Sequence, residues 1–107
     1  MTDQYLFAYG TLTSESVQKK LFDRQLTGTK DVLSGYSSSE IKIPRNKVQS
    51  IYPVIEYTGN SEDQVEGVVF KLSMDEILIA DDYEGLFYKR KKITLKSGIE
   101  SWAYIKS

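Results

Sequence analysis

Side chains able to move a proton or seat a small ligand fall in three short stretches of this 107-residue sequence. Tyr9-Gly10-Thr11-Leu12 sets a glycine turn between an apolar run and a hydroxyl-rich segment. After a strand, such a turn leaves backbone N–H groups pointing outward, where they can hold a carboxylate or a developing oxyanion. Read alone, the same four residues are an ordinary strand-to-helix turn with a capping threonine. Asp81-Asp82-Tyr83-Glu84-Gly85 puts three carboxylates within four positions at the end of a helical segment. Their charges repel one another and oppose the helix dipole, so the cluster costs stability unless something uses it. A Glu84 carboxyl released from the helix into a partly apolar pocket would be a usable proton shuttle near neutral pH. The blander reading is a solvated acidic helix end. In the third stretch, Tyr88 to Leu95, strand alternation divides Lys89, Arg90, Lys91 and Lys92 between two faces. That pattern reads as a lysine-protected edge strand rather than an RNA-binding surface. Tyr88 and Arg90 share a face that can point at a pocket. Ile93 and Leu95 have the opposite parity, so a bulge is needed if both pairs face inward.

Missing residue types narrow the chemistry further. The sequence has no His and no Cys, which removes Ser-His-Asp triads, thiol nucleophiles, zinc ribbons, imidazole metal sites and disulfide scaffolds. Acid–base work near neutral pH is left to Asp, Glu, Lys, Tyr or a backbone-organised site. Lys plus Arg number 14 against 15 Asp plus Glu, so no long-range field draws in nucleic acid or an anionic membrane. With 40% apolar and 27% charged residues, the chain is expected to fold as one compact domain over residues 1–107. The N-terminus has no signal-peptide pattern, and the apolar runs are far below the roughly 20 residues needed to cross a bilayer. An intracellular, cytoplasmic protein without a membrane partner is expected.

Periodicity and punctuation outline the elements that must position these stretches. Tyr5 to Tyr9 predicts a buried strand stopped by Gly10. The hydroxyls of residues 11–14 then cap a helix over about Glu15 to Phe22, with Val17, Leu21 and Leu12 as its apolar stripe. Leu26 to Ile43 predicts two strands around a turn, Pro44 to Ser50 a loop, and Ile51 to Tyr57 an extended piece that Pro53 confines to an edge. Val65 to Leu72 is the most strand-like segment. Ser73 and Glu76 have capping-box spacing at the head of a helix reaching Asp82 or Tyr83, with Met74, Ile77 and Leu78 on one face and Gly85 as its stop. Tyr88 to Lys96 and Ser101 to Ile105 predict strands joined by a hairpin turn at Ser97-Gly98-Ile99. About six strands and two short helices make an α+β domain that buries its sheet by closing into a barrel or by packing on helices.

In chain order, Tyr9-Gly10-Thr11-Leu12, Leu33-Ser34-Gly35-Tyr36, Tyr52-Pro53-Val54-Ile55, Val65-Glu66-Gly67-Val68-Val69-Phe70, Asp82-Tyr83-Glu84-Gly85 and Tyr88-Lys89-Arg90 resemble the gamma-glutamylcyclotransferase-like superfamily. The resemblance spans about Tyr5 to Ile105. It implies a small mixed β-barrel with two short flanking helices, and a cavity that binds a gamma-glutamyl group over the turn after the first strand. The family's catalytic glutamate falls on Glu84, and its loop on Tyr9, Gly10, Thr11 and Leu12. Tyr88 is a candidate for orienting the substrate, whereas Arg90 reads as structural. The implied reaction closes 5-oxoproline by attack of the substrate's own α-amine and releases an amine. It needs a small-molecule gamma-glutamyl substrate, no metal and no organic cofactor. Two departures stand out: only Leu86 and Phe87 separate Gly85 from Tyr88, where relatives usually carry a longer insert, and Asp81 stands where leucine is common. A different class of reading keeps the cavity but not the catalysis, as a binder of a small metabolite or peptide. A third is a barrel-like interaction module whose cavity side chains fill. The motifs specify neither the leaving amine nor an oligomeric state.

Overall fold

The computed structural model describes residues 3–45 and 48–107. Seven strands and two α-helices follow one another as β1 (Gln4–Ala8), α1 (Glu15–Phe22), β2 (Gly28–Ser34), β3 (Tyr36–Arg45), β4 (Val48–Tyr57), β5 (Gln64–Leu72), α2 (Met74–Glu84), β6 (Tyr88–Thr94) and β7 (Glu100–Lys106). Five strands form one mixed sheet in the order β2-β5-β1-β7-β6, in which only the β1–β7 pair is parallel. The other two, β3 and β4, pair only with each other as an antiparallel ribbon. None of the described helices is long and apolar enough to span a membrane.

Side-chain alternation along the five-stranded sheet feeds two separate cores, because both of its faces are covered. Leu6 and Ala8 of β1, Phe70 and Leu72 of β5 and Tyr104 of β7 pack with Phe22 of α1 and with Ile77 and Ala80 of α2. Phe7, Val69, Ala103 and Ile105 point the other way and meet Tyr36 and Ile55 of the ribbon. Apolar residues on both parities are what a strand shows when neither face is left to water. The same arrangement removes the bulge expected in β6. Its register with β7 is continuous from Tyr88↔Lys106 to Thr94↔Glu100, with Tyr88 packed against the helix-side core and Ile93 in the ribbon-side one.

Four expectations change. The sheet is not closed into a barrel, and the strands number seven rather than about six. Its edges β2 and β6 approach only beyond the end of β6, where Lys96 N–H donates to Val32 C=O and Ser97 donates to the Asp31 carboxylate. A few such contacts, only one of them backbone to backbone, are not a ladder, and the strands that would be needed to bridge the gap are bonded to each other instead. Strand pairing also runs through Pro44, Arg45 and Val48 to Ser50, where the sequence predicts a loop; residues 46 and 47 of that loop lie outside the described residues. In α2 the buried stripe is Ile77 and Ala80, while Met74 and Leu78 are exposed.

Helix α2 is fixed at its head by the expected box. The Ser73 hydroxyl accepts from Glu76 N–H and the Glu76 carboxylate accepts from Ser73 N–H. Arg24 adds two hydrogen bonds to the same carboxylate, each 2.8 Å. These, led by the Arg24 bonds, hold Glu76 below its usual carboxylate range against the desolvation that would raise it.

Candidate active site

The turn after β1 starts at Gly10 and tightens into a single 3-10 turn over Thr11–Thr13. Thr13 N–H and Ser14 N–H close it by donating to Gly10 C=O and Thr11 C=O. The N–H groups of Gly10, Thr11 and Leu12 enter no backbone bond of this kind among the described residues, as the first N–H groups of a helical turn do not. Gln18 of α1 locks it from behind: its side-chain NH2 donates to Leu12 C=O and its carbonyl oxygen accepts from Leu26 N–H, each at 2.9 Å. Gln18 is buried with Phe22, four residues apart on one helix face. That spacing is present in the sequence, but a polar glutamine hides it, and the apolar Val17 and Leu21, which turn out only partly buried, mark the stripe instead. Ser14 sits at the N-cap of α1 without a side-chain capping bond.

The end of α2 is held to this turn and to the sheet by the side chains just before Glu84. The Tyr83 hydroxyl lies 2.8 Å from the Thr11 hydroxyl, and Asp81 accepts from the Tyr104 hydroxyl at 2.7 Å. Arg90 Nε is 2.9 Å from the same Asp81 oxygen, with its guanidinium 4.2 Å above the Trp102 ring. Asp81, which in the sequence is only one member of a repelling cluster, is therefore held by β6 and β7, and Asp82 is exposed. Glu84 is the last helical residue. Gly85 comes next at φ 72°, ψ −160°, a conformation essentially reserved for glycine, which ends the helix at once.

Glu84, Tyr9, Gly10, Thr11, Leu12 and Tyr88 all line one small hollow. Each of these is a site residue by sequence reasoning, which misses the Tyr52–Pro53 roof contributed by β4, together with Tyr83 and Tyr104. The hollow measures about 20 Å³, room for about one water molecule. A Cβ added at Gly10 would lie 3.1 Å from the Pro53 ring, so the roof and the turn meet where a larger residue would hold them apart. Two phenols tie the walls together: Tyr9 donates to Tyr104 C=O, and Tyr88 donates to Pro53 C=O at 2.8 Å. Burial, then the charges of Tyr88 and Glu84, push the Tyr9 phenol well above its usual 10.0. Burial and the Asp81 carboxylate do the same for Tyr104. Both therefore stay protonated donors at neutral pH.

A half-buried carboxyl at a helix end, facing a turn rich in N–H donors across a small hollow beneath a two-stranded ribbon, marks the class of small α+β fold to which this chain belongs. The family model described as gamma-glutamyl cyclotransferase, AIG2-like, matches residues 6–107, and the chain belongs to that family. Solved structures agree on the fold. A solution structure from Arabidopsis thaliana superposes with a TM-score of 0.76 at 22% identity, over 99% of this chain and 63% of that one. A structure named gamma-glutamyl cyclotransferase gives 0.76 at 16% identity, over 99% and 68%. A uropathogenic E. coli-specific protein gives 0.72 at 15%, over 100% and 81%. This chain thus spans less than two thirds of the Arabidopsis protein's length. No curated protein sequence matches it.

Proposed function

We propose that this protein is a gamma-glutamyl cyclotransferase, releasing 5-oxoproline and an amine from a gamma-glutamyl amide, with Glu84 as general acid and base. The observation that carries the reading is that Glu84 and the Tyr9-Gly10-Thr11-Leu12 turn, 72 or more residues apart in sequence, line the same hollow. The substrate's α-amine attacks its own γ-carbonyl carbon; the new C–N bond closes a five-membered ring while the C–N bond to the departing amine breaks. Glu84 takes the proton from the attacking nitrogen and returns it to the leaving one, so no net proton is consumed. Nucleophile and electrophile share a molecule, and holding them in the reactive conformer supplies much of the acceleration, since effective molarities of about 10⁵ M or more are reached by well-oriented intramolecular attack. The N–H donors of Gly10, Thr11 and Leu12 hold the substrate carboxylate or the oxyanion that forms on the γ-carbonyl oxygen. Tyr88, fixed by its bond to Pro53, lines the opposite wall and orients the substrate. A covalent enzyme intermediate is not required, in keeping with a chain whose nucleophiles are confined to hydroxyls, carboxylates and amines.

The test is Glu84→Gln, which keeps shape and removes the proton shuttle. Release of 5-oxoproline from a panel of gamma-glutamyl amides should fall by about 10²- to 10⁴-fold with the melting temperature retained. Turnover equal to the parent would refute the assignment of Glu84. Measurable binding of the amides with no 5-oxoproline from the parent would place the chain instead among non-catalytic binders.

A further inference from the structure

Behind the hollow lies a polar junction that the proton transfer itself leaves unused. One oxygen of the Asp81 carboxylate, on α2, meets both the Tyr104 hydroxyl of β7 at 2.7 Å and Arg90 Nε of β6 at 2.9 Å. The backbone carbonyl of the same tyrosine accepts the Tyr9 phenol at the end of β1. Four elements that wall the hollow are therefore tied together at this point. Arg90 holds its place there at a cost. Its Nε and Nη1 are sealed from water with no aligned hydrogen bond among the described residues, and stranded buried donors are destabilising. What its side chain does make is the ion pair with Asp81 and a stack 4.2 Å above the Trp102 ring. An apolar side chain of similar volume could fill that space without stranding an N–H.

Spacing gives the pair a use. Asp81 and Glu84 are three residues apart on α2, so they are neighbours on the helix surface. The backbone carbonyl of Asp81 also accepts from Gly85 N–H, which closes the turn that contains Glu84. On β6, Arg90 and Tyr88 are two residues apart and share a face of the sheet, the one turned towards the helices. Contact between Asp81 and Arg90 thus fixes how far Glu84 stands from Tyr88 across the hollow, one helical turn and one pleat away. Resting on the cyclotransferase reading, we propose that Asp81 and Arg90 are positioning residues whose ion pair acts as a strut, setting the proton-transferring carboxyl of Glu84 against the Tyr88 wall without touching the substrate.

The experiment measures kcat and KM for 5-oxoproline release, with melting temperatures, in the parent, Arg90→Met, Asp81→Asn and the double variant, using the gamma-glutamyl amide that the parent turns over fastest. Asparagine at position 81 keeps an oxygen for the Tyr104 hydroxyl. Each single substitution should lower kcat by about 10- to 100-fold, the effect of a displacement of about 1 Å at a reacting centre, with KM unchanged and the melting temperature retained. Residues that act as one unit are not additive, so the double variant should fall no further than the worse single one. Arg90→Lys keeps the charge but not the planar fork; it replaces Arg90→Met if that variant does not fold, and the same loss of kcat is expected of it. A rise in KM at constant kcat would make Arg90 a direct contact of the substrate's carboxylate, and losses that multiply in the double variant would make the two residues independent; either result overturns the strut. So does a kcat unchanged in every variant, or a loss of turnover that follows the loss of folded protein. All of these leave the cyclotransferase reading standing. A parent that releases no 5-oxoproline overturns that reading, and the strut's role with it.

Discussion

Tyr9 and Tyr104 are joined by the hydrogen bond from the first one's phenol to the second one's carbonyl, and both are held above the usual tyrosine value of 10.0, chiefly by burial. A group whose proton is held more tightly in the folded state contributes stability in full below its unfolded value and loses it as pH rises towards the folded one. Of the 8 tyrosines in the sequence, these two should be absent from the reversible ultraviolet titration near pH 10 and appear only as the protein unfolds in alkali. If these two ionised reversibly near pH 10 in the intact protein, the burial assigned to them would be wrong. Tyr9 can be assigned to the site from the sequence because a strand, a glycine and a threonine surround it. Tyr104 cannot, since nothing in Trp102-Ala103-Tyr104-Ile105 says that residue 104 meets Asp81, 23 positions earlier.

At the scale of the element, the placement of Glu84 depends on where α2 stops. Gly85 has open space around its missing Cβ, so alanine there would meet no neighbour; the cost comes from the backbone, which only glycine adopts readily at φ 72° and ψ −160°. Gly85→Ala should lower stability by about 1–3 kcal/mol and cut 5-oxoproline release further than the stability change explains, because relaxing the strain turns the last helical residue. An unchanged melting temperature and unchanged turnover would show that the stop is not what aims the carboxyl. This stop, the capping box and most element boundaries are legible because they are written in local residue types. The extension of the ribbon through Pro44 is not. A polar stretch in a two-stranded ribbon looks like loop when its pairing partner is a neighbour in the chain. For the same reason Met74 and Leu78 look like core: an apolar side chain declares a preference for burial, not which face of the helix the sheet will take.

Across the whole molecule, the difference between an open sheet and a barrel is decided by pairings between distant segments. The strands themselves are apparent from composition, but β3 and β4 choosing each other, rather than filling the space between β2 and β6, leaves no local trace. Gly67 shows the same limit: a Cβ there would come within 2.6 Å of Ala8 C=O and of the Phe7 ring, a close approach that becomes intelligible only once β5 lies beside β1.

The roof over Glu84 is also the outer layer of the domain, and Tyr88 fastens it to the sheet by a bond to Pro53. On the proposed cyclotransferase reading the ligand includes a gamma-glutamyl group, several times larger than one water molecule, and its admission would require that latch to release and the hairpin to swing outward. Uptake would then be gated. In a rapid-mixing experiment the observed rate should level off at high ligand concentration, at the frequency of opening, and Tyr88→Phe should raise that ceiling; a rate that climbs linearly without limit would mean that the hairpin is no gate.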